Sequence, residues 1–487
     1  MAQAASETLR HESAPRARPI RDGIGRTLIV IFLIKPIIDL FPQNAIWMGP
    51  IRLSPTTVFG VLVFFLLAQF LFGRGRHVPP YGRVFEGFIL LNAVSLASSV
   101  ATGVFESMPS TVAWVFKILD AYVVFSCAYL AAQRYQYTEM TPFLTAIMFG
   151  SAIVVVLNVL AIQFDMTGLR PANEEFDAYA RGRERGLYYD PGVLANVALY
   201  SLITTVFRYH LVRSGKGWWL LFAIVIVICD LYLLVASQSR VAVILTAVSG
   251  VVYLSFFQQK WGKLLAPVIA AVVFATMLST MQDDVGEMFN RFDSDVEALQ
   301  SAEGMRFGGV GVTSSGEVSF GDLEALGNNR GMKWAEALTD ILRRPFHEML
   351  IGNYSFSVGG HSDYIDVISR NGFIGFALFV TLMVGITRRT WTLARTAVAG
   401  RERVLHYLAF ILALCFALYA IPFRPLGYTT TAWYMWAMVG FSFAWEARRV
   451  RMVPGRPAAP AAASGQPEKP VDAAEPEYRG SPPVTRR

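Results

Sequence analysis

Four groups of residues in this chain carry side chains suited to holding a polyanion and moving a proton. They are Arg185, within Arg181-Gly-Arg183-Glu-Arg185-Gly186; Ser237-Gln-Ser239-Arg240; Asn329-Arg330; and His361, which leads into Ser362-Asp363-Tyr364. A guanidinium stays charged and presents a fixed fork of donors that matches phosphate oxygens two at a time. Two or three of them could hold a diphosphate and stabilise the charge that grows on it as it leaves. Arg240 stands at the mouth of an apolar run, where a charge is costly unless it is paired or snorkels to the headgroups. It therefore either binds an anion or anchors its helix. His361 precedes an apparent helix start, capped by Ser362 or Asp363. Its imidazole could take a proton from a hydroxyl near neutral pH, or could be a polar loop residue.

Other constellations carry less. His361, Asp363 and Asp366 have ligand chemistry, but offsets of two and five residues do not share a helix face, so no metal is expected. Lys35 and Asp39 are four apart, and Lys117 and Asp120 three apart, so each pair could neutralise itself along one helix. Asp230 has no local partner. A proton path through such groups is what a transporter would need. The glycines of Gly308-Gly309-Val-Gly311 through Gly316 lack the Gly-Lys-Ser/Thr ending of a phosphate loop. Cys127, Cys229 and Cys415 each lie inside an apolar run and read as buried thiols rather than a disulfide framework.

The elements that must position these residues follow from composition. The chain has 487 residues, 54% hydrophobic and only 16% charged, with the charges in short clusters between long apolar runs. A soluble protein would carry about 25% charged residues, so the deficit points to many membrane spans. Only helices can cross lipid in segments of this length, because every backbone polar group must be satisfied internally. Twelve spans are expected, near 26–42, 56–73, 86–105, 111–132, 141–163, 193–212, 218–236, 240–257, 262–281, 364–387, 404–422 and 427–446.

Lysine and arginine then orient them. The connections on one side carry Arg74, Arg76 and Arg83, then Arg134, then Arg208, Arg213 and Lys216. Next come Lys260 and Lys263, then Arg388, Arg389, Arg395, Arg401 and Arg403. The tail opens with Arg448, Arg449 and Arg451. By the positive-inside rule these are cytoplasmic, as are both termini. The net charge of +7 is thereby assigned to membrane anchoring, and no nucleic acid is expected as a partner. The polar residues 1–25 form a cytoplasmic tail before an uncleaved first span, within a helical unit 26–281. Two outside loops, 164–192 and 282–363, precede the last three helices over 364–446, and a disordered Pro/Ala-rich tail is expected over 447–487. The expected fold is thus an all-α integral membrane protein with one long periplasmic loop. All four groups named above fall on its outer face.

A span ending in Ser-x-Ser-Arg, a long outside loop, and then Asn328-Asn329-Arg330-Gly-Met-Lys-Trp334 resembles the O-antigen ligases and O-antigen polymerases. Gly352 and the stretch from His361-Ser-Asp-Tyr364 to Asn371-Gly372-Phe-Ile-Gly375 are similar to that family's His-Asn-x-Tyr and Gly-x-x-Gly region. The likeness covers roughly residues 180–385 by motif. Ser362 stands where the family usually has Asn, and Asp190-Pro191-Gly192 where it has Pro-Asn. The resemblance implies a glycosyltransferase of the bacterial inner membrane that works without metal or cofactor, in lipopolysaccharide or exopolysaccharide biosynthesis. Its donor would be an undecaprenyl-diphosphate-linked glycan, and its acceptor a glycan or lipid A core. It implies that Arg185 and Arg240 bind the diphosphate, with Arg330, Ser239 and Asp363 assisting, and that His361 activates the acceptor hydroxyl. Two other classes remain open on the residues alone: a flippase-type transporter of lipid-linked glycan, and a non-catalytic assembly scaffold.

Overall fold

The computed structural model describes residues 23–41, 46–48, 51–72, 78–103, 108–133, 140–166, 183–188, 190–211, 217–257, 311–312, 318–319, 326–354, 362–397 and 400–452. The described chain is helical, with two short antiparallel ladders, Ile46–Met48 on Ile51–Leu53 and Gly311–Val312 on Val318–Ser319. The helices are α1 (Gly23–Ile38), α2 (Pro55–Phe72), α3 (Gly82–Thr102), α4 (Met108–Ala132), α5 (Thr141–Gln163), α6 (Pro191–Leu211) and α7 (Gly217–Ala236). They continue as α8 (Arg240–Phe257), α9 (Leu326–Arg343), α10 (Phe346–Ile351), α11 (Asp363–Thr396), α12 (Gly400–Tyr419) and α13 (Thr429–Met452).

Seven of these are long and apolar enough to cross a membrane by length and composition: α3, α4, α5, α6, α7, α11 and α12, the α4 and α12 windows being Thr111–Ala132 and Glu402–Tyr419. Helices stand at eleven of the twelve expected positions; the stretch 262–281 lies outside the described residues, as does the tail from 453. Two ends differ from expectation. α11 runs to Thr396 and α13 to Met452, beyond the apolar windows that hydropathy marks. Helical hydrogen bonding continues through Arg, Ala and Leu, good helix formers that need no lipid. The stretch 282–363, expected as a long loop, contains α9, α10 and the second ladder.

The packing explains which helices face lipid. α13 is buried almost all round from Thr430 to Trp445 and lies against α4, α11 and α12. Trp433, Tyr434 and Trp436 fill its surroundings at 1%, 1% and 0% exposure. α3 and α7, by contrast, leave Leu90 and Leu221 exposed at 67% and 64%. Large apolar side chains exposed along one face of a long apolar helix suit a lipid neighbour, because exposing them to water is costly.

One polar stripe interrupts this pattern. Asn92, Ser95 and Ser99 are buried on one face of α3 and receive the segment after α10. Ser95 Oγ donates to Ile351 O, Tyr354 N donates to Ser99 Oγ at 2.7 Å, and the Tyr354 hydroxyl donates to Asn92 Oδ1 at 2.9 Å. A chain segment entering a helical bundle brings unpaired backbone groups, and these hydroxyls satisfy them.

Candidate functional site: a polar end of the bundle

The segment between α5 and α6, described over 183–188 and from 190, joins two corners of the bundle. At one end Glu184 N donates to Ala236 O at 2.8 Å and Arg183 Nε donates to Ser237 O at 3.2 Å. Arg185 and Ser237-Gln-Ser239-Arg240, far apart in sequence, are thus neighbouring segments. Arg185 is 4% exposed, Ser239 is buried, and Arg240 is the first residue of α8 and half-buried. Gln238 turns the corner with φ of 48°, which lets α8 leave in a new direction. Leu187 N donates to Asn158 Oδ1 at 2.8 Å, which fixes the segment on the end of α5.

At its other end the segment reaches the α12–α13 corner. Asp190 Oδ1 accepts from Gly192 N, and the Tyr419 hydroxyl donates to Gly192 O at 2.7 Å. Burial, and after it the Asp39 carboxylate, holds the Tyr188 phenol well above its ordinary range. That hydroxyl therefore stays a neutral donor at physiological pH. Asp190-Pro191-Gly192 is accordingly a structural joint, and it opens α6.

α11 starts on that same corner. Ser362 is its N-cap: Ser362 Oγ accepts from Ile365 N and donates to Ala420 O at 3.1 Å. Asp363 N is shared between Ala420 O at 3.1 Å and Phe423 O at 3.0 Å. Asp363 itself is fully buried; Oδ2 accepts from Leu426 N at 2.7 Å, and Oδ1 has no hydrogen-bond partner among the described residues. One turn on, Asp366 holds Arg424, with Nη2 to Oδ1 at 2.8 Å and Nε to Oδ2 at 2.7 Å. His361 lies outside the described residues. Arg330 falls in α9, its side chain likewise outside them.

Charges inside the bundle converge on this end. Lys35 pairs with Asp39 as its spacing predicts, and Thr430 donates to the other Asp39 oxygen. Lys35 also lies 5.0 Å over the Trp433 ring. The second expected pairing fails: Lys117 and Asp120 form no ion pair. The strongest charge acting on Lys117 is Asp363, and the one acting on Asp120 is Lys35. Charges on other helices act on these two side chains more strongly than the two act on each other. Arg370 lies over Trp114 at 4.9 Å and Tyr354 at 5.8 Å.

Gly372 breaks α11 just after Arg370, with φ of 62° and ψ of −168°. Gly352 has φ of 77°, and a Cβ there would sit 2.2 Å from Arg370 O; one on Gly372 would sit 2.3 Å from Leu350 O. Only glycine tolerates both the left-handed backbone and that approach. Two elements of the sequence motif, Gly352 and Asn371-Gly372, are therefore one joint between α10 and α11. Sequence reasoning singled out Asp363, and Asp366 only as a rejected metal ligand, but missed Arg424 and the grouping of Asp363, Asp366 and Arg370. Their spacing of three and four residues places all three on one helix face, and that was the available signal. Compared with protein-family models and with curated proteins, the chain matches neither a family model nor a curated sequence.

Proposed function

We propose that the chain is a metal-independent, inverting glycosyltransferase of the O-antigen ligase or polymerase kind. In this reading it crosses the bacterial inner membrane twelve times, with both termini cytoplasmic and 282–363 periplasmic. The observation that carries it is the hydrogen bonding of Arg183 and Glu184 to Ser237 and Ala236, which sets the Arg185 segment beside Arg240. Two guanidinium-bearing segments side by side suit a lipid-linked diphosphate. Arg330 and Ser239 would add donors, and Asp363 would hold the start of α11.

The reaction follows from that arrangement. The undecaprenyl diphosphate of the donor lies against Arg185 and Arg240. His361 takes the proton of an acceptor hydroxyl on a glycan or lipid A core. The alkoxide attacks the anomeric carbon, a glycosidic bond forms, and the bond to the diphosphate oxygen breaks. The arginines stabilise the departing diphosphate. A single displacement inverts the anomeric carbon, and a retained configuration in the product would overturn the scheme.

A second reading rests on Asp230, which is fully buried on α7 next to Ser201 of α6 and belongs to no ion pair among the described residues. A flippase-type transporter would use such a group for coupling. The experiment compares products in membranes holding wild type, His361→Ala or Asp230→Asn, supplied with undecaprenyl-diphosphate oligosaccharide and acceptor. A ladder in repeat-unit steps, lost in His361→Ala, identifies a polymerase; a single conjugate lost in the same way identifies a ligase. Absence of transfer by wild type, with translocation lost in Asp230→Asn, favours the transporter.

A further inference from the structure

The length of α3 provides a scale of depth. Its 21 residues cover about 31 Å at roughly 1.5 Å per residue, which matches a hydrocarbon core of roughly 30 Å. Ser99 and Ser95 lie three and seven residues before its last residue, Thr102, and so stand about 5 and 10 Å inside that end. Ser95 donates to the carbonyl of Ile351, the last residue of α10, and Ser99 accepts from Tyr354 N. A second helix agrees with the first. Gly352 lies against Arg370 O, and Arg370 is seven residues inside the start of α11 at Asp363. The closing end of α10 is therefore sunk about two turns below the ends of both helices.

The opening end of α10 is tied down as well. Arg344, just before it, donates through Nη1 to Ser369 O on α11 at 2.7 Å and through Nε to Asp340 at 3.1 Å. Backbone at this depth is tolerated where protein satisfies it, as the serines of α3 do for Ile351 and Tyr354.

What the segment turns outward is apolar. Phe346, the first residue of α10, is 74% exposed, and Leu342 and Pro345 before it are exposed too. The helices that hold α10 do the same at its own depth. Val94 and Val100, next to the two docking serines, are exposed on α3, and Phe373 and Ile374 are exposed on α11 just past the Gly372 break. These side chains continue the face of α3 that suits lipid, so the neighbour of Phe346 at this level is hydrocarbon rather than water. His347 is exposed beside it, and an imidazole, apolar in body and polar at its tip, suits the headgroup level. The exposed charges Glu336, Asp340 and Arg343 all lie earlier, on α9.

We infer that α10 is a re-entrant element: it dips into one leaflet, with Phe346 among the acyl chains and α9 at the headgroups. The partner of this surface is the bilayer itself. The inference goes beyond the proposed reaction and stands whether or not the chain transfers sugars.

The test uses the full-length protein in nanodiscs of phosphatidylethanolamine and phosphatidylglycerol. A nitroxide is placed on Phe346→Cys, with Cys127, Cys229 and Cys415 replaced by Ala. Its collisions are measured with oxygen, which concentrates in lipid, and with a water-soluble nickel chelate, which stays outside. Leu90→Cys supplies the lipid reference and Glu336→Cys the water reference. The oxygen-to-nickel collision ratio at 346 should match that at 90 and exceed that at 336 several-fold. A ratio equal to that at 336 puts Phe346 in water and overturns the inference. A nitroxide shielded from both reagents puts protein over Phe346, whether another part of this chain or a second copy, and overturns it equally. If the cysteine-replaced chain fails to fold, p-benzoylphenylalanine in place of Phe346 in the otherwise unaltered chain decides. Photolysis should attach phospholipid, and attachment to protein alone, or to nothing, overturns the inference.

Discussion

At the scale of single residues, His361 and Tyr354 make separable predictions. Replacing His361 by Ala removes the proposed general base, a contribution of about 10²- to 10⁴-fold. Transfer should fall by at least the lower figure in a membrane assay, with the protein still folded by size exclusion; unchanged turnover would remove His361 from the mechanism. Tyr354 tests packing rather than chemistry. Its hydroxyl donates to Asn92, and burial pushes its phenol up to about 12. A raised value in the fold means that the neutral hydroxyl stabilises the protein fully below its ordinary value of 10.0 and is lost as pH rises through about 12. Tyr354→Phe should therefore lower stability by about 1 kcal/mol at neutral pH. It should also flatten the loss of thermal stability between pH 10.0 and about 12. A variant as stable as wild type at pH 7, with the same alkaline limb, would contradict this.

At the scale of elements, the joint between α10 and α11 and the pairing of Asp366 on α11 with Arg424, between α12 and α13, are the parts most open to test. Gly372→Ala places a Cβ where Leu350 O already lies and forces a left-handed backbone on alanine. Strain of this kind costs about 1–3 kcal/mol before the clash is added. Folded yield should drop sharply by fluorescence-detected size exclusion, and a variant with wild-type yield would mean that the joint is not close-packed. Asp366→Asn leaves Arg424 without its carboxylate. Arg424 is 31% exposed, so water softens the loss, and a cost of about 2 kcal/mol is expected. The double variant Asp366→Asn with Arg424→Gln should recover part of it, and a double variant worse than additive would argue against a direct pair.

At the scale of the whole molecule, the distribution of arginine and lysine predicts the side on which each end lies. Green fluorescent protein fused after Met452 should fluoresce, and alkaline phosphatase fused within 282–325 should be active. An active phosphatase at the carboxyl end would reverse the orientation and place Arg240 in the cytoplasm. The hydrogen bonds themselves make the bundle consistent with such alternation. The closing ends of α1, α3, α5, α7 and α12 meet the segment before α6, the segment after α10 and the opening ends of α11 and α13, through Asp39–Thr430, Ser99–Tyr354, Asn158–Leu187, Ala236–Glu184 and Ala420–Asp363. One end of the molecule gathers the polar residues, whichever side of the membrane it faces.

The helices and their lipid character were legible in the sequence because a run of about 20 apolar residues has few alternatives in a membrane. The Lys35–Asp39 pair was legible for a similar reason, since a spacing of four is settled by helix geometry alone. The partner of Lys117 was not. Asp120 is nearer along the chain, yet Asp363 on another helix acts on it most strongly, because packing brings side chains together without regard to sequence distance. The same holds for Arg183 and Ser237, for Gly352 and Gly372, and for Arg424 and Asp366. Local spacing determined where the elements lie and which residues share each face. Tertiary structure alone decided which faces meet, and so which charges find a partner far away in the chain, as Asp366 and Arg424 do.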